Sequence, residues 1–213
     1  MGSGEFMFLL RGLLWTLALS AVAFLGGTAA GLAIALARTS GIRALERAAS
    51  GYIASFQGTP LLMQLFVVYY GLALAGLKLD AWAAVAIGFT LHASAYLGEI
   101  WRGSIEAVPK GQSEAAHALG LGYVPRMKEV ILPQAIRISL PATIGFLVQL
   151  IKGTSLAAIV GFTELARAGS IVSNQTFQPL LVFGFVGALY FCICWPLSLT
   201  GARLERRLAA HAR

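Results

Sequence analysis

The sequence predicts an all-α integral membrane protein with five transmembrane helices, with its N-terminus outside and its C-terminus in the cytoplasm. Of 213 residues, 58% are hydrophobic and only 12% are charged, which is about half the charged share of an average soluble domain. The mean hydropathy is +0.77. Since a soluble globule of this size cannot bury so much apolar surface, the composition excludes secreted enzymes, nucleic-acid readers and disordered proteins.

Five apolar segments are long enough to cross roughly 30 Å of hydrocarbon, which takes about 20 helical residues. They cover residues 12–37, 60–77, 81–100, 138–160 and 180–200. The second is short, but Thr59 and Pro60 supply an N-cap and a proline for the first helical position. Residues 44–57 mix charged with apolar residues, so we expect a short helix at the membrane interface there.

The start of the chain is not expected to contribute a further domain or a cleaved signal. We interpret residues 1–6 as a cloning remnant and leave them out of the predicted domain. The first apolar run is too long for the core of a signal peptide, so no cleavable signal is expected. Residues 7–213 show no internal repeat and are predicted to form a single transmembrane domain.

The basic residues predict the orientation. Twelve of the 16 Lys and Arg residues lie in segments 38–59 and 101–137 and in the tail from residue 203. The opposite side carries only Arg11, Lys78 and Arg167. The positive-inside rule therefore places the two loops and the tail in the cytoplasm. Topology thus explains the net charge of +7, and we expect no nucleic-acid partner.

The cytoplasmic loop 101–137 is too long for a simple connection. Its sequence predicts two short helices, with Gly120 or Gly122 as a left-handed C-cap and Pro125 in the first turn of the second helix. Ala115, Ala116 and Ala118 would form a surface of small residues that another protein can approach closely. The residues alone leave two interpretations open: a docking element, or a hairpin packed on the protein's own spans.

One sequence pattern in this loop favours the docking element, because it resembles the signature of a known family. Glu114-Ala115-Ala116, then Gly120, then Leu132-Pro133 resembles the coupling-loop signature of ABC importer permeases, with Val130 where the family has Ile. Further segments are similar to the branch that takes up polar amino acids (histidine-, glutamine- and arginine-type permeases): Gly58–Leu62, Ala95–Glu99, Arg102–Ile105, Val108–Gln112 and Lys152–Leu156. The resemblance runs from about residue 12 to residue 208, with a coupling loop at about 107–133.

This resemblance implies a permease subunit that forms the translocation path and couples it to separate ATPase subunits. The chain has no G-x-x-x-x-G-K-[ST] phosphate loop, so we expect no enzyme activity and no cofactor in it, with ATP and Mg²⁺ bound by the partner ATPase. The implied partners are a second permease, identical or similar, a periplasmic or extracellular amino-acid-binding protein and membrane lipid. The implied location is the bacterial inner membrane, crossed several times.

Polar side chains inside the spans are the candidate substrate contacts. Lys152 is the most informative, because a charge in hydrocarbon usually faces a cavity or a partner. Gly153 gives it no adjacent carboxylate, so it is available for a substrate's α-carboxylate; an ion pair with Glu99 or Glu164 is the alternative. The other candidates are His92, Gln64, Gln149, Thr154 and Ser155. His92, Gln64 and Gln149 are equally suited to hydrogen bonds that hold helices together.

The number of spans also bears on the oligomeric state. Five spans enclose a solute path poorly, so we expect a dimer, and the Gly27-x-x-x-Gly31 pair permits close helix contact. Cys192 and Cys194 are expected to be buried free thiols.

A half of an ion-coupled secondary transporter is the alternative function, but it needs intramembrane carboxylates, and only Glu99 comes near. A membrane scaffold without transport is the third, and Lys152 argues against it.

Overall fold

The computed structural model describes residues 2–211, with side chains up to Leu208. Within this range the protein consists of eight helices and contains no β-strand. In chain order they are α1 (Ser3–Arg38), α2 (Arg43–Gln57), α3 (Leu61–Leu74), α4 (Ala81–Glu106), α5 (Lys110–Ala118), α6 (Tyr123–Val160), α7 (Leu165–Thr176) and α8 (Pro179–His211). The all-α prediction is confirmed for this part of the chain.

Four helices are long and apolar enough to cross a membrane: α1, α4, α6 and α8. The second predicted span, 60–77, corresponds to α3, which is apolar but shorter and contains a π-helical turn over Val67–Gly71. Its start also differs from the prediction. Pro60 is the N-cap residue and not the first helical residue, while the Thr59 hydroxyl donates to Ser55 O at 2.7 Å and does not cap the helix.

The helix α1 lies against α4 with almost no space between the two backbones. A Cβ atom added to Gly27 would lie 2.5 Å from the Cβ of Ala93, and one added to Gly31 would lie 3.1 Å from the backbone N of Gly98. Only glycine permits this approach. The Gly27-x-x-x-Gly31 pair therefore joins two helices of the same chain, and it is not available as a contact between two copies.

The helix α6 differs most from the prediction. We expected a short second loop helix and a separate span at 138–160, but the two form one element from Tyr123 to Val160. It passes through a π-helical stretch at Arg126–Ile131 and ends in a 3₁₀ segment at Thr154–Val160. The end of the cytoplasmic loop predicted at 101–137 is therefore continuous with a membrane-length helix.

The first helix begins at Ser3, ahead of the domain start predicted at residue 7. The prediction of two buried cysteines needs correction. Of the two cysteines, both free, only Cys194 is buried, and Cys192 is exposed on α8. The short helix predicted at 44–57 is confirmed as α2, in which Ala49 and Ile53 are buried and the rest of the helix is mostly exposed; its place at the membrane interface stays a prediction.

Candidate functional site

The loop predicted to be a docking element forms a hairpin of α5 and the first turns of α6. Gly120 has φ +78°, the left-handed conformation that glycine adopts without strain. Its N–H donates to His117 O at 2.9 Å, and the next N–H, of Leu121, donates to Ala116 O at 3.1 Å. Gly120 is thus the left-handed residue that ends α5, and Pro125 lies in the first turn of α6 as predicted.

This hairpin has an inner and an outer face. The predicted surface of small residues included Ala116, and this part of the prediction is wrong because Ala116 is only 3% exposed. Glu114, Ala115 and Ala118 are exposed. Leu119, at the tip, is 81% exposed. One face of the hairpin therefore packs on the protein's own helices, and the other face is exposed, while its role as a docking element stays a prediction.

The inner face rests on the ends of α1 and α4. Leu132 packs against a buried cluster that joins these helices to the start of α6: Ala35, Ile105, Val108, Met127, Ile131 and Ala135. Pro133, beside it, is exposed. This cluster links the hairpin to the ends of two membrane-length helices.

Two predicted substrate residues, Gln64 and His92, are in direct contact. Gln64 Oε1 lies 2.9 Å from His92 Nδ1. Gln64 Nε2 donates to Phe56 O at 2.7 Å and to Thr59 O and Oγ1, both at 3.0 Å. Gln64 is 7% exposed, so it fastens the turn between α2 and α3 to α4.

These contacts also determine how His92 is protonated. The group of Gln64 that faces two carbonyl oxygens has to be the amide NH₂. Its oxygen therefore faces His92, so the Nδ1 atom of the neutral imidazole carries the hydrogen, and Nε2 has a free lone pair. In the described part of the chain Nε2 makes no hydrogen bond, and it is not among the fully buried unpaired atoms. His92 is thus set up as a hydrogen-bond acceptor.

A second connection between α2 and α4 lies close by. The Tyr52 hydroxyl lies 2.7 Å from Ser94 Oγ and donates to Leu91 O at 3.0 Å. Burial raises the pKa of the Tyr52 hydroxyl above its ordinary value. Two hydrogen-bonded pairs on one face of α4 therefore fix the interfacial helix and the start of α3.

The cluster of polar residues at the end of α6 is only partly available to a ligand. Lys152 is exposed, and the hydroxyl groups that follow it bond to the helix: Thr154 donates to Ile151 O at 2.7 Å and Ser155 to Lys152 O at 2.8 Å. Thr154 is completely buried, while Gln149 is exposed. No contact joins Lys152 to the Gln64–His92 pair among the described residues.

The alternative ion pairs of Lys152 are absent from the described chain. Glu99 binds Arg102 at 2.5 Å, the i, i+3 pair that its spacing predicts. Glu164 is fully buried on the N-cap of α7 and accepts from Ala166 N and Arg167 N, both at 2.8 Å. Lys152 therefore forms no ion pair with a carboxylate in the described part of the chain.

Glu164 is also the centre of a buried polar cluster that the sequence analysis did not identify. Tyr190 on α8 donates to its Oε2 at 3.0 Å, and the Thr16 hydroxyl on α1 lies 3.5 Å from the same atom. Thr16 Oγ1 also accepts from Leu165 N at 3.1 Å. The signal available in the sequence was an acidic residue immediately before an amphipathic helix, which is typical of an N-cap.

Comparison with known families identifies this architecture. Residues 27–211 match the family model described as the inner membrane component of binding-protein-dependent transport systems. This chain belongs to that family. The permease is 38% identical over 207 residues to a probable amino-acid ABC transporter permease protein, YckA, of Bacillus subtilis (strain 168), with 97% of this chain and 92% of the relative covered.

Two further comparisons agree. The permease is 38% identical over 198 residues to the L-cystine transport system permease protein TcyB of Bacillus subtilis (strain 168), covering 92% of this chain and 85% of the relative. It superposes with a TM-score of 0.86 and 36% identity on a solved amino acid ABC transporter with histidines, covering 94% of both chains. Similarity to the methionine transporter MetNI, at 21% identity and TM-score 0.79, extends to the fold alone.

Proposed function

We propose that this permease is the membrane-spanning subunit of an ATP-driven importer for a polar amino acid. The observation that carries the proposal is the hairpin of α5 and α6, which leaves an exposed face ending at Gly120 and rests on α1 and α4. Relatives at 38% identity that are described as permeases for amino acids and for L-cystine support the same substrate class. No feature of the described residues favours the ion-coupled or scaffold alternatives.

The partners follow from this function. The hairpin docks on an ATPase subunit that binds ATP and Mg²⁺ and hydrolyses the nucleotide, so the permease itself is not an enzyme. A second permease, identical or similar, completes the path, and a periplasmic or extracellular binding protein delivers the amino acid. Closure of the two ATPases moves the loop 107–133, and α6 transmits the movement because it runs without interruption from the hairpin to Val160.

We further propose five spans in the bacterial inner membrane, with α3 as the fifth beside the four long helices. The distribution of basic residues supports an outside N-terminus. In a variant lacking Cys192 and Cys194, single cysteines at Lys78 or Ser170 should react with an impermeant thiol reagent in intact cells. Cysteines at Gln112 or Arg207 should not. The opposite labelling pattern would overturn both the orientation and the coupling argument.

For the substrate we propose complementary contacts by Lys152 and His92. The exposed ammonium of Lys152 suits an α-carboxylate, and the free Nε2 of His92 suits a donor such as an ammonium or amide group. Gln64 acts through His92 by holding its tautomer. Thr154 and Ser155 shape the end of α6, since their hydroxyls bond to its carbonyls, and Gln149 remains a candidate contact because it is exposed.

Copurification tests the proposed function. The permease is tagged and purified from membranes of cells that also produce a candidate ATPase and a candidate binding protein from the same organism. We expect the ATPase to copurify in detergent and the binding protein to stimulate ATP hydrolysis when amino acid is present. A permease that retains no ATPase, yet accumulates amino acid in response to a proton or sodium gradient, would support the secondary transporter instead.

A further inference from the structure

A polar pocket lies outside the proposed substrate site, where the ends of α1 and α4 meet the starts of α2, α5 and α6. It encloses about 640 Å³. Its charged and aromatic lining consists of Arg38, Glu46, Glu106, Lys110, Tyr123 and Arg126. The pocket borders the hairpin of α5 and α6, but none of the predicted docking residues Glu114, Ala115 and Gly120 and none of the predicted substrate contacts lines it.

The two carboxylates in the polar pocket are already occupied. Glu106 binds Arg102 at 2.5 Å, and Glu46 Oε1 accepts from Gly41 N at 3.0 Å. The lining therefore carries three cations, Arg38, Lys110 and Arg126, against two carboxylates, and of these two only Glu106 is in an ion pair among the described residues.

The three cations, in contrast, form no close ion pair among the described residues, although Arg38 lies near enough to Glu99 to interact with its charge. Arg38, Lys110 and Arg126 form no salt bridge with any residue that the structure describes. Arg126 lies over the Tyr123 ring at 5.7 Å, and Arg38 Nε is buried without a hydrogen-bond acceptor. Three unpaired cations around one cavity are suited to a phosphate group.

A separate apolar groove lies next to this pocket and shares Ile105 with it. It encloses about 210 Å³ and is lined by Leu32, Trp101, Leu132, Ile136, Leu140 and Thr143, among others. On α1 the distance along the helix from Arg38 to Leu32 is about 9 Å at 1.5 Å per residue, so the groove begins within two turns of the polar pocket.

We propose that the polar pocket and the apolar groove together bind one anionic phospholipid. Its phosphodiester headgroup lies among Arg38, Lys110 and Arg126, and one acyl chain lies in the groove along α1, α4 and α6. Free phosphate leaves the groove unused, and an acidic segment of the ATPase does not reach into the membrane region. Trp101 supports the assignment, because tryptophan is enriched at the level of lipid headgroups.

Native mass spectrometry of the permease–ATPase complex tests this site. The complex is titrated with phosphatidylglycerol, with phosphatidylcholine of the same chains, and with soluble glycerol 3-phosphate as a competitor. We expect phosphatidylglycerol to be retained in preference to phosphatidylcholine and not to be displaced by an equal concentration of glycerol 3-phosphate. Because a basic residue near anionic lipid contributes about fivefold in affinity, the Arg38→Gln/Arg126→Gln double variant should bind about 25-fold more weakly.

Two further variants separate the possible occupants. Ile136→Trp fills the groove at an exposed position and should weaken phosphatidylglycerol binding with all cations intact. The control Lys128→Gln/Arg137→Gln removes two exposed charges outside the pocket and should leave binding unchanged. Equal weakening by the control, displacement by glycerol 3-phosphate, or no effect of Ile136→Trp would overturn the proposal. Unchanged lipid binding with loss of the ATPase in the double variant would assign the cations to the protein partner and also overturn it.

Discussion

The side-chain oxygen of Gln64 lies 2.9 Å from Nδ1 of His92, and the Gln64 amide group donates to the backbone at Phe56 and Thr59. One side chain thus joins the α2–α3 turn to the middle of α4. In the membrane region such bonds have no water to replace them, so the pair fixes both the position and the tautomer of His92.

Gln64→Leu should destabilise the purified permease by about 1–3 kcal/mol, because it leaves buried hydrogen-bonding groups without partners. Thermal unfolding in detergent measures the change. Gln149→Leu is the matched control: Gln149 is exposed, and its substitution should change stability by no more than about 0.5 kcal/mol. In ¹⁵N spectra of labelled histidine, His92 should lose its single tautomer in the Gln64 variant. Equal stability changes in both variants would contradict the assigned role of Gln64.

Glu164 and Tyr190 should behave as a coupled pair. Glu164→Gln and Tyr190→Phe should each lower stability by about 1–3 kcal/mol, because each leaves a buried group unsatisfied. The double variant should lose less than the sum of the two, since the second substitution removes a partner that is already lost. Exposed Glu129→Gln is the control for the charge change. Strictly additive losses would show that the 3.0 Å contact contributes nothing to stability.

Gly120→Leu should weaken coupling to the ATPase while membrane insertion stays normal. A side chain at φ +78° costs about 1–2 kcal/mol and distorts the end of α5. Gly122→Leu is the control, because Gly122 has φ −66° and open space around it. ATPase retained on the tagged permease is the measurement. The same retention by both variants as by the parent would mean that the turn at Gly120 does not shape the docking face.

Lys152→Met keeps the length of the side chain and removes its charge. If Lys152 binds the α-carboxylate, the substrate interaction should weaken by about 1.5–3 kcal/mol, or about 10–150-fold in affinity. Yield should stay normal, because Glu99 and Glu164 have other partners. Uptake and yield are compared for Lys152→Met alone and combined with Glu99→Gln or Glu164→Gln. Recovery of a poor yield in either double variant would restore the ion-pair interpretation.

Much of the fold could be predicted because apolar runs in a membrane protein translate directly into helices. The Glu99–Arg102 pair and the turn at Gly120 were also predictable, since both depend on residues close in sequence. The continuity of α6 was not, because Arg126, Lys128 and Arg137 interrupt its apolar pattern.

Contacts between distant helices could not be predicted either. A Gly27-x-x-x-Gly31 pair shows that some helix approaches closely, but not that the helix is α4 of the same chain. In the same way, the sequence offers Gln64 and Gln149 as equivalent polar residues within spans. Only the assembled structure shows that Gln64 is buried and fully bonded while Gln149 is exposed.

The most direct test of the central claim is amino-acid uptake by proteoliposomes that contain the permease and its ATPase, with the binding protein outside and ATP inside. We expect radiolabelled polar amino acid to accumulate inside only when ATP, Mg²⁺ and the binding protein are all present, and to accumulate without any ion gradient. Uptake that proceeds without ATP and stops when an ion gradient is dissipated would contradict the account.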